Sequence, residues 1–323
     1  MSAVPWLVPS IVPHGLSPEL RVALGPLATI VDDPRVTDVF VLADGRVYVD
    51  TGGGSYLAEG LRIGIEESVD IARSLIECGG RHIDEAHPLV DVGVGRGVRV
   101  HAVLPPIASR GAEISIRLSR HQRPDLHSLD IEDSDRLIPQ LLRCVRARET
   151  LLIAGATGSG KTTLLGALMA FASPLERLVV LEELAEISID HPHVVSLECR
   201  QANTEGAGEV TLRRLVREAL RMKPTRLIVG ECRGAELADV VQAFHTGHRG
   251  GATTLHAQSL EEVPRRLEGI AAQAGLSTRL LATQARSAFH KVLYLQHRPG
   301  ESRKLEIGRF VQGKGGQLRV EVE

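Results

Sequence analysis

The stretch Gly155-Ala156-Thr157-Gly158-Ser159-Gly160-Lys161-Thr162 constrains this chain more than any other. It satisfies G-x-x-x-x-G-K-[ST] at every fixed position, and its flanks agree with the motif. The apolar run Leu151-Leu152-Ile153-Ala154 precedes it and Thr163-Leu164-Leu165-Gly166-Ala167-Leu168-Met169 follows, which reads as strand, glycine loop, helix. Glycines let backbone N–H groups curl around a phosphate without Cβ clashes, and a helix N-terminus adds positive dipole at the same point. Lys161 can reach the β- and γ-phosphates, and the Thr162 hydroxyl can ligate Mg²⁺. The expected nucleotide-binding set is Gly155, Ala156, Thr157, Gly158, Ser159, Gly160, Lys161, Thr162 and Thr163, with ATP and Mg²⁺ as the ligands.

Composition narrows the alternatives. A chain of 323 residues has room for two domains, each with its own core. A net charge of −2 gives no global basic field for nucleic acid, and 3% aromatic residues argue against a base-stacking platform. No specific nucleic-acid binding is therefore expected. Cys78, Cys144, Cys199 and Cys232 form no C-x-x-C pair and read as inert thiols in a reducing compartment. No apolar run approaches the roughly 18 residues of a membrane helix, and the start lacks a basic signal-peptide region. The expectation is a cytoplasmic protein.

Along the chain, residues 1–19 read as a tail and 20–119 as an α+β domain. Pro18 to Val31 reads as a helix. Asp44-Gly45 between Val39–Leu42 and Val47–Val49 signals a two-residue hairpin. Ile65 to Cys78 has helical spacing stopped by Gly79-Gly80. Val90 to Val103 and Ala112 to Leu118 read as strands, and Gly93–Gly97 as a hairpin turn. The polar residues 120–132 read as a linker. From 133 to 323 helices alternate with strands at Glu149–Ala154, Arg177–Leu181, Val194–Leu197, Thr225–Val229 and Ala252–Leu255. That alternation predicts a mostly parallel sheet covered by helices. Lys291–Gln296, Lys304–Val311 and Leu318–Val322 read as antiparallel additions.

Further chemistry gathers around the loop. Leu227-Ile228-Val229-Gly230-Glu231 is an apolar strand ending in a carboxylate, where an acid can orient or deprotonate an attacking water. Glu182-Glu183 is a second acidic strand end. Arg213, Arg217 and Arg221 share one helical stripe, equally readable as a solvated face or a subunit boundary. His245, His248 and His256 surround Thr246-Gly247 and Thr253-Thr254. Metal ligation, local hydrogen bonds, or a neutral donor to the γ-phosphate all remain open for them.

Gly155–Thr162, Leu181–Ile187, Leu227–Gly234 and the span from Thr246-Gly247-His248 to His256-Ala257 resemble the Walker A, Asp box, Walker B and His box of the secretion ATPase superfamily. That superfamily powers type II and type IV secretion and type IV pili. The likeness is greatest to the CpaF-like ATPases of Tad (tight adherence) pili and to type IV secretion traffic ATPases. Leu215–Pro224 is similar to the family's segment before Walker B. Arg81–Glu85, Val98–Pro106 and Ile114–Arg117 are similar to its N-terminal domain. Position 183 carries Glu where the family usually has Asp. The resemblance implies an α/β fold, a RecA-like P-loop NTPase domain with a mostly parallel sheet preceded by the smaller α+β domain. It also implies a homo-hexamer docked peripherally on inner-membrane platform proteins. By position, Glu231, Glu183, Glu186 and His256 would do the chemistry, Thr162 and Glu183 would hold Mg²⁺, and Arg99 and Arg117 resemble N-terminal arginines that close on the γ-phosphate.

Overall fold

The computed structural model describes residues 16–94, 97–118, 125–200, 202, 207–298 and 300–323. The chain divides into two compact units, Met1–His121 and Gln122–Glu323.

The first unit contains α1 (Pro18–Leu24), α2 (Ala28–Val31), β1 (Asp38–Val41), β2 (Arg46–Asp50), β3 (Ser55–Arg62), α3 (Ile65–Cys78), β4 (Leu89–Gly93), β5 (Val98–Val103) and β6 (Glu113–Leu118). Its strands form an antiparallel sheet in the order β3-β2-β1-β6-β5-β4. Alternation decides the faces. Val39, Val41, Val98, Val100, Ala102, Ile114 and Ile116 are buried with Ile71, Ala72, Leu75 and Ile76 of α3. Arg99, His101, Ser115 and Arg117 occupy the other face of the sheet.

Two local expectations change. The helix expected over 18–31 breaks at Gly25-Pro26, because Gly25 takes φ +52° and the proline offers no N–H to continue the ladder. The first hairpin has a three-residue loop, Ala43–Gly45, rather than two: Gly45 N–H donates to Leu42 O at 2.8 Å and Leu42 N–H to Arg46 O at 2.9 Å. Gly45 is required there. Its φ is +85°, and a Cβ would sit 2.0 Å from Ile63 O. The turn expected at Gly93–Gly97 falls partly outside the described residues.

The second unit contains α4 (Ser134–Arg146), β7 (Leu151–Gly155), α5 (Lys161–Met169), β8 (Leu178–Glu182), β9 (Val194–Glu198), α6 (Leu212–Ala219), β10 (Arg226–Val229), α7 (Glu236–His245), β11 (Ala252–His256), α8 (Val263–Gln273), α9 (Thr278–Ala288), β12 (Lys291–Gln296), β13 (Lys304–Gln312) and β14 (Leu318–Val322). Its sheet runs β14-β13-β12-β7-β11-β10-β8-β9. The strands from β12 to β9 in that order are mutually parallel.

This corrects the expectation for the C-terminal strands. β12 is parallel to β7, and the antiparallel pairs here are β12–β13 and β13–β14. The physical reason is the connection: α8 and α9 return the chain to the starting edge of the sheet, as a parallel crossover requires. β7, β8 and β10 are buried along their whole lengths. Alternate residues feed opposite layers, as both-face burial demands. Leu152, Ala154, Val179, Leu181 and Val229 join Leu237, Phe244 and Leu267, while Leu151, Ile153, Val180 and Ile228 join Leu141, Leu164 and Leu165. Among the described residues no helix is long and apolar enough to cross a membrane.

Candidate functional site

The strand order brings separate sequence motifs to one place. β7, β11, β10 and β8 are neighbours, so Gly155, His256, Gly230-Glu231 and Glu182 stand side by side at the carboxyl edge of the sheet. His256 is directly opposite Gly155 in the ladder.

The glycine loop is shaped as a cradle. Gly158 takes φ +74° and Gly160, the N-cap of α5, takes φ +99°. A Cβ on Gly155 would lie 2.4 Å from Leu295 O and 2.7 Å from Ser159 Oγ, so the loop can pass only with glycine there. Ala156, Thr157 and Gly158 are exposed, Thr162 is half-buried and Thr163 is exposed at the helix start. Ser159 is buried, and its Oγ has no hydrogen-bond partner among the described residues. A buried hydroxyl without a partner is costly, and here it lines a loop whose first helical N–H groups also lack intrahelical acceptors. These features fit a bound phosphate.

Lys161 is only 6% exposed. Its Nζ donates to Ala156 O at 2.7 Å and lies 3.4 Å from His256 Nδ1. Burial lowers its pKa, with Glu231 opposing the shift. His256 Nε2 lies 3.3 Å from Glu231 Oε1. An ammonium can only donate and a carboxylate can only accept, so one neutral imidazole tautomer satisfies both: Nδ1 accepts and Nε2–H donates. Burial and the Lys161 charge both depress the His256 pKa, consistent with that neutral form. Glu231 Oε2 accepts from Arg233 Nη2 at 2.7 Å, and Arg233 Nη1 reaches Glu183 Oε2 at 3.5 Å. Lys161, His256, Glu231, Arg233 and Glu183 thus form one chain of alternating donors and acceptors.

Glu182 sits beneath it. It is 4% exposed, and Oε1 accepts the N–H groups of Glu186 (3.0 Å) and Ile187 (2.9 Å). Burial pushes its pKa up to about 7 despite those bonds. A Cβ on Gly230 would lie 3.0 Å from Glu182 Cγ, so the glycine before Glu231 makes room for this carboxyl. Glu182 therefore sets the path of residues 183–187, leaving Glu183 exposed and Glu186 half-buried. Glu236 Oε1 likewise accepts from Arg233 N at 2.6 Å and Gly234 N at 2.7 Å, fixing the turn after Glu231.

The remaining histidines go elsewhere. His245 Nδ1 bonds Ser287 Oγ and His248 Nδ1 faces Ala243 O, while only His256 joins the loop. Among the described residues no group of three or more His, Cys, Asp or Glu could hold a metal. Mg²⁺ held mainly by substrate phosphates needs no such cage. The arginine stripe on α6 is partly neutralised: Arg213 and Arg217 both bond Asp239, at 2.7 and 2.8 Å.

Arg99 and Arg117 lie in the first unit, directly opposite each other on β5 and β6. Like charges so placed repel. Each has its own carboxylate: Arg99 grips Asp91 through Nε (2.8 Å) and Nη2 (2.6 Å), and Arg117 Nε meets Asp38 at 3.2 Å.

Sequence reasoning assigned no role to Arg233, although its place two residues after Glu231 was a usable signal. Glu182 was noted only as a strand end.

The Type II/IV secretion system protein family matches residues 22–293. A putative conjugal transfer protein of Mycobacterium tuberculosis is 42% identical over 308 residues, covering 92% of this chain and 87% of that protein. Type IV secretion system protein VirB11 of Brucella suis is 30% identical over 271 residues, covering 76% and 75%. Among solved structures, the pilus retraction motor PilT with bound ADP has a TM-score of 0.61 at 19% identity, covering 87% of this chain and 80% of that one. The Legionella pneumophila ATPase DotB has a TM-score of 0.59 at 20% identity, covering 94% and 80%. At those identities the structures speak for the fold alone. With the family's match running through most of the chain, the protein belongs to the Type II/IV secretion system protein family.

Proposed function

We propose that the chain is an ATP-hydrolysing motor of a type IV secretion, conjugal-transfer or Tad-type pilus apparatus, with its second unit as a RecA-like P-loop ATPase domain. The observation that carries this reading is the junction of the glycine cradle with Lys161, His256 and Glu231 at one sheet edge. Lys161, released from Ala156 O, binds the β- and γ-phosphate oxygens. The Ser159 hydroxyl and the N–H groups at the start of α5 complete the cradle. Thr162 and Glu183 would hold Mg²⁺, which neutralises charge on the β- and γ-oxygens when bound. Glu231 orients the attacking water and takes its proton. Neutral His256 stands between Lys161 and Glu231, accepting at Nδ1 and donating its one N–H from Nε2 to the carboxylate. Arg233 holds Glu231 in place, and Glu182 holds Glu183 and Glu186.

In this reading Arg99 and Arg117 leave Asp91 and Asp38 to clamp the γ-phosphate, since guanidinium matches phosphoryl oxygens bidentately. In sequence, residues 120–132 lead from the proposed α+β domain (20–119) to the proposed ATPase domain (133–323). Leu126, Leu129 and Ile131 are buried in the second unit and anchor that end of the connection. The motor works as a homo-hexamer at the cytoplasmic face of the inner membrane, on platform proteins of the apparatus.

The test is steady-state ATP turnover against protein concentration, with and without DNA. Turnover per chain that rises as rings assemble, without DNA stimulation, supports the motor reading. The conjugal-transfer relative favours a DNA-driven motor as the second reading, and strong DNA stimulation would select it. Negligible turnover by assembled protein would instead leave a nucleotide-gated scaffold.

A further inference from the structure

Arg303 precedes β13 and lies far from the phosphate loop in sequence. Its guanidinium nevertheless reaches the loop: Nε donates to Ser159 O at 3.0 Å. The same planar group donates through Nη1 to Leu129 O at 2.7 Å. Arg303 is also joined by its backbone to the segment that carries Leu129. Its N–H donates to Asp130 O at 2.7 Å, its carbonyl accepts from Glu132 N at 2.8 Å, and Ile131 bridges it in parallel. Ser302 Oγ adds a bond to Asp130 Oδ2 at 3.1 Å. Leu129 and Ile131 are buried beneath. Asp130 (φ +47°) and Asp133 (φ +52°) adopt left-handed conformations, which non-glycine residues enter at a cost and hold only where surroundings over-determine them.

The bond to Ser159 O bears directly on the cradle. A trans peptide is planar, with its C=O and N–H pointing opposite ways. An arginine fixing the Ser159 carbonyl therefore fixes the direction of the Gly160 N–H at the start of α5. A charged donor on that carbonyl also polarises the peptide, making its N–H a stronger donor to an anion. The fit is close: a Cβ on Gly160 would lie 3.3 Å from Arg303 Nε and 3.2 Å from Leu129 Cδ2.

We propose that Arg303 is a positioning residue of the phosphate loop, aiming the Gly160 N–H at the bound phosphate and linking the loop to residues 127–132 at the start of the second unit. The inference rests on the nucleotide-binding reading above. Phosphate that draws the Ser159–Gly160 peptide inward pulls on the guanidinium, and the guanidinium pulls on Leu129. Two bonds from one rigid fork make the coupling, so a lysine, with one point donor, can keep either bond but not both.

The experiment is equilibrium binding of ADP to the full chain, wild-type and with Arg303→Ala or Arg303→Lys, together with amide hydrogen exchange of residues 127–132 with and without ADP. The wild type should bind ADP and gain protection at 127–132. Arg303→Ala should bind roughly tenfold or more weaker, the scale of one charge-assisted bond, and its exchange at 127–132 should no longer respond to saturating ADP. Arg303→Lys should recover part of the affinity without the response, and it carries the test if the alanine variant fails to fold. Unchanged affinity with an intact response in either folded variant overturns the proposal. A wild type that binds no ADP would overturn the nucleotide reading itself, a distinguishable result.

Discussion

The two ends of the parallel sheet both bury charge, and they treat it differently. At the amino end Arg226, 1% exposed, starts β10. Its Nε bonds Glu176 Oε2 at 2.7 Å, Nη1 bonds Gly250 O at 3.0 Å and Nη2 bonds Val145 O at 2.8 Å. Arg148 meets the other oxygen of Glu176 at 3.1 Å. Gly250 makes room for the fork, since a Cβ there would lie 2.9 Å from Nη1. Each nitrogen of that guanidinium has an acceptor, and the group ties α4 and β10 to the segments leading into β8 and β11. At the carboxyl end Ser159 Oγ has no partner among the described residues, and Lys161 rests against a loop carbonyl and a neutral imidazole rather than a carboxylate. The finished network around Arg226 holds the fold; the unfinished one around Ser159 fits a ligand.

Substitutions should separate the two ends, and a large effect should also come from a charge in the other unit. Arg117 is an exposed partner of Asp38, and such a pair contributes at most about 1 kcal/mol to stability. If it clamps γ-phosphate, Arg117→Ala lowers turnover by roughly a thousandfold or more, with ADP affinity nearly intact. Paired measurements of turnover and ADP binding check this; equal loss of both would mean a misfolded first unit. At the amino end, Arg226→Met leaves Glu176 buried without its main partner and should cost about 3–5 kcal/mol, read by denaturant unfolding. A loss under about 1 kcal/mol would break the comparison. At the carboxyl end, Glu231→Gln should bind ATP normally yet hydrolyse it roughly a hundredfold slower, with an unfolding midpoint near wild type.

The smallest effect concerns His290, at the amino end beside β7. Its Nδ1 accepts the Thr150 N–H at 3.0 Å, which needs a neutral ring. Burial, with Arg249 adding to it, depresses its pKa below the ordinary 6.5. The unfolded chain therefore binds the proton more readily. The stability contributed by His290 is complete above pH 6.5 and is lost as pH falls through the lower folded value. Melting curves across that window should flatten for His290→Asn, which keeps an acceptor on a side chain that does not titrate.

What the sequence revealed follows how local each signal is. The phosphate loop was legible because eight consecutive residues carry it together with its strand and helix. Glu231 was legible as the end of an apolar strand. The residues alone did not tell His256 from His245 and His248; only the family resemblance picked it out, and the β11–β7 register is what brings it beside Gly155. Arg303 gave no signal, since its contact with Ser159 depends on where β13 starts against β12. β3 was missed for a different reason. Ser55–Arg62 is mostly exposed, its register slips at Arg46/Tyr48, and Gly60 takes φ +82°, so no clean alternation marks it. The direction of β12 was misread because strand polarity is set by the α8–α9 crossover and not by the strand's own residues.

The most direct test of the contrast between the two ends is Lys161→Ala, measured for ATP turnover and thermal unfolding in the same preparation. Lys161 is nearly as buried as Arg226, at 6% against 1% exposed, so burial alone would rank them alike. Our account expects turnover to vanish while the melting temperature stays within a few degrees of wild type, because the ammonium serves a ligand and not the core. Wild-type turnover by the folded variant, or a collapse in stability like that of Arg226→Met, would contradict it.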